Sequence, residues 1–284
     1  MTNKSGGKTL GSALEDVTSR LEKTSDTPGL DAQVLLAHVM GWPRSWMLAH
    51  PEVALAPRRA ATLEHMVLRL ERGEPLPYVL GRWDFFGLEF EITPDVLIPR
   101  PETELMVERA ISWLWAHPDR RRAIDVGTGS GCIGIALAFN VSDVQVLATD
   151  ISPDALKIAR HNANSHSVSQ RMKFLRCDLF PPVAEFDLIV ANPPYIPTKT
   201  LHKLPIFGRE PILALDGGAD GLDLIHRLLT GAPERLAPGG LLLLEIEASE
   251  GPSALSLACD AFGAAEIHLH KDLSGRDRIL EIQV

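Results

Sequence analysis

The sequence predicts an α/β protein: a mostly parallel sheet of seven strands covered by helices on both faces, preceded by a small helical bundle and a β-hairpin linker. Three observations carry this. Strand-like and helix-like segments alternate from Pro101 to the end of the chain. A glycine-rich turn, Gly127-Thr128-Gly129-Ser130-Gly131, directly follows the first buried strand of that series. The first 74 residues, by contrast, show only helical periodicity.

In residues 1–74, Leu10, Leu14, Val17 and Leu21 repeat at helical spacing, and Leu63, Met66, Val67 and Leu70 do so again. Pro28, Pro43 and Pro57 punctuate the helices, and single apolar stripes must pack on one another as a bundle. Residues 75–98 change texture: Trp83, Phe85, Phe86, Leu88, Phe90 and Ile92 surround Gly87, which predicts two strands turning near that glycine. Residues 99–284 then read as helix 104–116, strand 123–126, helix 132–140, strand 145–149, helix 153–165, strand 173–177 and strand 187–191. A helix over 222–236, strand 241–246, helix 252–262 and strands 266–270 and 278–284 complete the series. The last two strands lack an intervening helix and so predict a hairpin at the sheet edge.

Composition narrows the function classes. The 284 residues carry a formal net charge of −9, which offers no long-range attraction to a polyphosphate backbone and argues against a nucleic acid partner. Cys132, Cys177 and Cys259 are far apart and lack zinc-ligand spacing, so neither a disulfide framework nor a metal site is expected and a reducing cytoplasm fits. The hydrophilic start, Met1 to Leu10, and the absence of an apolar run near the roughly 18 residues a membrane span needs argue against export or membrane insertion. Among ten histidines, His268 and His270 share a strand face, but the alternation reads as an exposed edge. Arg120-Arg121-Arg122 reads as a solvated loop before a strand.

The chemistry concentrates at strand ends. Glycines 127, 129 and 131 allow a tight turn and close backbone approach to a ligand, beside a helix N-terminus with free N–H groups. Gly129, Gly131 and Gly134 also satisfy a dinucleotide pattern, although the turn directly after the strand uses Gly127, Gly129 and Gly131. Asp150, at the end of the next strand, is placed to accept the hydroxyl protons of a ribose, which suits a nicotinamide dinucleotide and S-adenosylmethionine alike. Asp178 and the Leu179 backbone stand where an adenine would be contacted. Asn192-Pro193-Pro194-Tyr195 ends the fourth strand. Proline fixes its own φ and forces its predecessor to be extended, so Asn192 and Pro193 project a side-chain amide and rigid carbonyls from the carboxyl edge of the sheet. The Asn192 side-chain oxygen and the Pro193 carbonyl can each accept one N–H of a planar NH2 group, while Tyr195 can stack on it.

These residues resemble class I S-adenosylmethionine-dependent methyltransferases that act on planar nitrogen, a Rossmann-like, seven-stranded class containing both adenine-N6 and glutamine-N5 enzymes. Leu97-Ile98-Pro99-Arg100-Pro101-Glu102-Thr103-Glu104, together with Glu210-Pro211, Ala214-Leu215, Gly217-Gly218 and Asp220-Gly221, resembles the peptide chain release factor glutamine methyltransferases over nearly the whole chain. That resemblance implies methyl transfer from S-adenosyl-L-methionine, leaving S-adenosyl-L-homocysteine, to the glutamine N5 in the Gly-Gly-Gln motif of class-one release factors. It implies a cofactor site at Gly127, Thr128, Gly129, Ser130, Gly131, Asp150, Asp178, Leu179 and Asn192. It implies an acceptor site at Asn192, Pro193, Pro194 and Tyr195, and substrate docking on the N-terminal bundle. A ribosomal-protein glutamine methyltransferase and an adenine-N6 enzyme are the alternatives; the first usually lacks the Pro-Glu-Thr-Glu element, and the charge counts against the second. After Glu245-Ile246 this chain has Glu247 and Glu250 where the family has a glycine and a glutamine.

Overall fold

A computed structural model describes residues 8–182 and 185–284, so most of the hydrophilic start lies outside the described residues. The chain divides into two compact units, Met1–Gly81 and Arg82–Val284.

The first unit contains helices α1 (Leu10–Leu21), α2 (Pro28–Met40), α3 (Arg44–Ala49), α4 (Pro57–Glu71) and α5 (Leu76–Leu80). Thr9 caps α1 through a reciprocal capping box with Ser12, Pro28 opens α2, and Gly41, at φ 67°, closes it. The stripes expected from the sequence meet in one core, where Leu10, Val17 and Leu21 pack with Leu35, Leu36, Met40, Leu63, Met66, Val67 and Leu70. Across the rim, Arg20 bridges Glu64 and Glu71, at 2.7 and 2.8 Å, and ties α1 to α4.

The second unit begins with hairpin β1 (Arg82–Phe85) and β2 (Leu88–Glu91). Phe86 and Gly87 both adopt positive φ, 51° and 73°, as a two-residue turn matched to strand twist requires. The hairpin is fixed to the helix Pro153–Ser165 of the same unit: the Glu91 N–H donates to the Asn162 side chain at 2.8 Å, and the Asn162 amide returns a bond to the Glu91 carbonyl. Helices α6 (Glu104–Ala116), α7 (Cys132–Asn140), α8 (Pro153–Ser165), α9 (Thr198–Leu201), α10 (Asp223–Gly231) and α11 (Gly251–Phe262) alternate with strands β3 (Arg122–Val126), β4 (Gln145–Asp150), β5 (Met172–Arg176), β6 (Phe186–Ala191), β7 (Leu236–Glu245), β8 (Glu266–Lys271) and β9 (Asp277–Gln283).

Among the described residues the large sheet has seven strands in the order β5-β4-β3-β6-β7-β9-β8. The first five are mutually parallel, and β9 is antiparallel to both β7 and β8. This is the α/β class expected. The terminal hairpin lies at the edge with its second strand innermost, because β9 carries the apolar load (Ile279, Leu280 and Ile282 are fully buried) whereas β8 alternates with exposed positions. His268 and His270 lie on that edge strand.

One predicted helix is shorter than expected. The segment 222–236 splits into α10, ending at Gly231, and the start of β7 at Leu236, because Pro233 has no N–H to continue the helix. The arginine run is ion-paired: Arg121 pairs with Asp143, while Arg120 and Arg122 converge on Asp187 at the base of β6. Trp113 is buried and Trp115 exposed, as their different helix faces require.

Candidate active site

Parallel strands β3, β4 and β6 all end at one edge, so the segments that follow them converge there. Gly127, Gly129, Asp150, Asp178, Leu179, Asn192 and Pro194 line one cleft of about 320 Å³, together with Pro94 to Leu97 and with Pro211, Leu213 and Ala214. Thr128 and Ser130 are buried behind the turn. Gly131, Pro193 and Tyr195 are not among the cleft-lining residues.

The glycine turn is shaped from within the fold. Gly127, Gly129 and Gly131 have φ of 71°, 54° and 84°. A Cβ on Gly127 or Gly129 would project into open space, so the glycines present bare backbone to the cleft; a Cβ on Gly131 would strike Ile135 and Ala159. Asp125 holds the turn from beneath. It lies fully buried in β3, and its carboxylate accepts the Thr128 hydroxyl at 2.6 Å and the Gly134 N–H at 3.0 Å. Burial pushes its pKa up to about 6. Asp150 accepts the Gly129 N–H at 2.9 Å and the Ser152 N–H at 2.8 Å, and burial raises its pKa against the pull of those two donors. Ser152 caps α8 by accepting the Ala155 N–H, which leaves Asp150 free of the capping task. Asp178 is half-exposed and paired with Arg227 at 2.7 Å, while Leu179 takes a positive φ of 62° and its carbonyl accepts the Thr149 hydroxyl.

Asn192 leaves β6 into a segment held on both sides. Toward the chain beyond it, Ile196 and Thr198 exchange backbone bonds with Leu215, Gly217 and Gly218. Gly217 must be glycine: a Cβ there would come within 2.7 Å of the Tyr195 backbone. Toward the sheet, the Asn192 amide N–H donates to the Thr103 hydroxyl at 3.2 Å, Thr103 donates to Glu245 at 2.6 Å, and the Tyr195 hydroxyl reaches the other Glu245 oxygen at 3.4 Å. Glu245 ends β7 with no exposed surface, and burial pushes its pKa up to about 7. Burial also raises the Tyr195 phenol, with the Glu245 charge adding to the effect.

The segment Leu97–Glu104 and the residues after Tyr195 gain their meaning here. The Arg100 guanidinium pairs with Glu210 at 2.5 Å, and the other Glu210 oxygen accepts the Ile98 N–H at 3.0 Å, so one buried carboxylate joins the segments that follow Leu97 and precede Pro211. Asp125, Glu245, the Thr103 hydroxyl and the Arg100–Glu210 pair join the site only through the fold. For the first two a signal was present in the sequence: each is the single charge in an apolar run, Asp125 within residues 123–126 and Glu245 within residues 241–246. Among the described residues no cluster of His, Cys, Asp and Glu could hold a metal ion.

A doubly covered seven-stranded sheet with an antiparallel penultimate position, carrying a bare glycine turn and an acidic strand end in one cleft, defines a class I S-adenosylmethionine-dependent methyltransferase. Comparison with known proteins narrows the class. Family models match for the PrmC N-terminal domain over residues 12–81 and the methyltransferase small domain over residues 103–204. The chain is 42% identical over 275 residues to the release factor glutamine methyltransferase of Moorella thermoacetica, covering 95% of this chain and 96% of that one. It is 40% identical over 256 residues to the release factor glutamine methyltransferase of Bordetella pertussis, covering 89% and 93%. A methyltransferase from Pyrococcus furiosus shares the fold, with a TM-score of 0.51 at 17% identity over 80% of this chain and 98% of that one. The chain belongs to the release factor glutamine methyltransferase family.

Proposed function

We propose that this enzyme transfers the methyl group of S-adenosylmethionine to the side-chain amide nitrogen of the glutamine in the Gly-Gly-Gln motif of a class-one release factor. The observation that carries the reading is the orientation of Asn192: its NH2 is committed to Thr103, which leaves its side-chain oxygen for the cleft. An acceptor NH2 needs such an oxygen.

The cleft residues fit the cofactor. The bare backbone of Gly127 and Gly129 suits the close approach of a small charged group, with Thr128, Ser130 and Gly131 setting the turn behind them. Asp150 is assigned to the ribose hydroxyls, and Asp178 with Leu179 to the adenine. The cofactor supplies an electrophilic methyl group on a sulfonium. The chain's own residues act on the acceptor. The Asn192 oxygen and the Pro193 carbonyl each accept one N–H of the glutamine amide, whose lone pair is otherwise delocalised into its carbonyl. Holding both hydrogens orients the nitrogen and stabilises the positive charge that grows on it, and the rigid proline carbonyl costs little reorganisation. Pro194 and Tyr195 are assigned to the flat face of the amide.

Partner recognition falls to the helical unit. A Gly-Gly-Gln loop offers little side-chain surface, so a second grip by residues of Met1–Gly81 raises the effective concentration of the loop at the sheet edge. The partner is a protein and not a nucleic acid, consistent with the charge of −9. Among the described residues no helix is long and apolar enough to cross a membrane, and the proposed setting is the cytoplasm, where release factors act. Intact-mass analysis of a class-one release factor incubated with enzyme and cofactor tests the reading: a gain of about 14 daltons, the mass of one CH2, must map to that glutamine. Methyl found on adenine in a nucleic acid control would replace it.

A further inference from the structure

The line Asn192–Thr103–Glu245 joins the ends of the neighbouring strands β6 and β7 to the turn before α6. Its hydrogen bonds have only one self-consistent direction while Glu245 is ionised. A carboxylate can only accept, so the single Thr103 hydroxyl proton goes to Glu245. The Thr103 oxygen then has only lone pairs to offer Asn192, and it selects the NH2 end of that amide over the oxygen end. Thr103 and Glu245 are both buried, so water does not compete for either role. The Tyr195 hydroxyl occupies the remaining Glu245 oxygen, which keeps the carboxylate from rotating away.

We propose that Thr103 and Glu245 are positioning residues that set the sense of the Asn192 amide, holding its oxygen toward the acceptor nitrogen. This rests on the role given to Asn192 above. Were the amide reversed, an NH2 would face the NH2 of the acceptor, and the contact would be repulsive. Neither residue touches substrate or cofactor; each acts through Asn192. Proton uptake by Glu245 removes the constraint, because a carboxylic acid can donate to Thr103 and free the hydroxyl proton for the Asn192 oxygen. The charged and titratable groups facing Glu245 are Arg278 from β9 and Tyr195, with Glu102 from the turn before α6; Arg278 and the hydroxyl bonds from Thr103 and Tyr195 favour the ionised form, while burial and the Glu102 charge oppose it.

The test uses the full chain with a class-one release factor at saturating concentrations of both substrates. Thr103→Val should lower kcat by at least about tenfold, as loss of a preorganised transition-state contact does, with the dissociation constant for S-adenosylhomocysteine unchanged within about twofold. Thr103→Ser, which keeps the hydroxyl, should recover most of the loss. In an Asn192→Ala background, Thr103→Val should cost no more than about twofold, because its effect passes through the missing amide. Glu245→Gln gives a second arm should the valine variant not fold: the unaltered enzyme should lose turnover as pH falls through about 7, and this variant should lack that limb. Wild-type turnover in Thr103→Val, a serine variant as slow as the valine one, a full additional loss in the Asn192→Ala background, or the same pH limb in Glu245→Gln would each overturn the positioning role. Retained turnover in Asn192→Ala alone would overturn the acceptor reading instead.

Discussion

Replacing Asp150 with alanine separates the cofactor role of this carboxylate from its structural one. In the folded protein it accepts two backbone donors, the Gly129 N–H at 2.9 Å and the Ser152 N–H at 2.8 Å. Both donors border the cleft, so water can replace the lost acceptor, and the cost to folding should stay at about 1.5 kcal/mol, the low end for a hydrogen bond to a charged group. The cofactor has no such replacement. Two ribose hydroxyls lose a charged acceptor, worth together about 1.5–3 kcal/mol, or roughly a 10-fold to 150-fold weaker complex. Asp150→Asn should do little better, since an amide offers one acceptor atom where the backbone donors already use two. Titration calorimetry with S-adenosylmethionine and S-adenosylhomocysteine reads the affinity, and thermal melting without cofactor reads the folding cost. Affinity within about threefold of the unaltered enzyme, with the melting change as expected, would refute the ribose assignment.

Asn192→Ala should cut kcat by about 100-fold to 1000-fold while leaving cofactor affinity within a few-fold; near-normal turnover would place the acceptor elsewhere. Deleting Met1–Gly81 should spare cofactor binding and abolish most methylation of the intact release factor, checked on protein shown to be folded by circular dichroism; full activity would refute a docking role for the helical unit. Stability should fall as pH rises through the range below about 7. Glu245 has its folded pKa pushed from 4.5 up to about 7, so between those values the native state binds more protons than the unfolded chain, and the slope of unfolding free energy with pH is negative. Glu245→Gln should flatten the change in melting temperature between pH 5 and 8; an unchanged slope would show that Glu245 does not titrate there.

The residues that were legible in the sequence are those whose chemistry is local. The turn Gly127–Gly131, the strand-end Asp150 and the tetrapeptide from Asn192 each announce themselves within a few positions, because backbone freedom, strand ends and proline rigidity are properties of short segments. Helix α8 began and ended where the Ser152 cap and its apolar spacing put it. What the sequence hid is pairing over distance. Thr103 and Glu245 lie 142 positions apart, and Ile98 and Glu210 lie 112 apart; neither partner is informative without the sheet that joins them. The shortened α10 had a local cause, since Pro233 interrupts the stretch, but helical periodicity on either side masked it.

The two glutamates that depart from the family pattern follow from the same geometry. Glu247 has φ −76°, a value any residue adopts, so the backbone there makes no demand for glycine. Its carboxylate accepts the Ser249 N–H while Glu250 reaches back to the Glu247 N–H at 3.3 Å, a reciprocal cap on the short turn that leads into α11. Glu250 is buried against Gly221, where a Cβ would meet its carboxylate oxygen at 2.2 Å. Burial pushes its pKa up to about 7, with Glu247 and Asp220 adding to the effect. A carboxyl group in that position carries a proton below about pH 7, and a protonated glutamate, like a glutamine, presents both a donor and an acceptor. The departure at Glu250 therefore alters charge more than shape, at a carboxylate that packs where Gly221 meets the Tyr195 carbonyl. Glu250→Gln should accordingly raise the melting temperature above pH 7, by removing a buried charge, and leave kcat near its original value; a large fall in kcat would mean that the charge reaches the acceptor site through Gly221 and Tyr195.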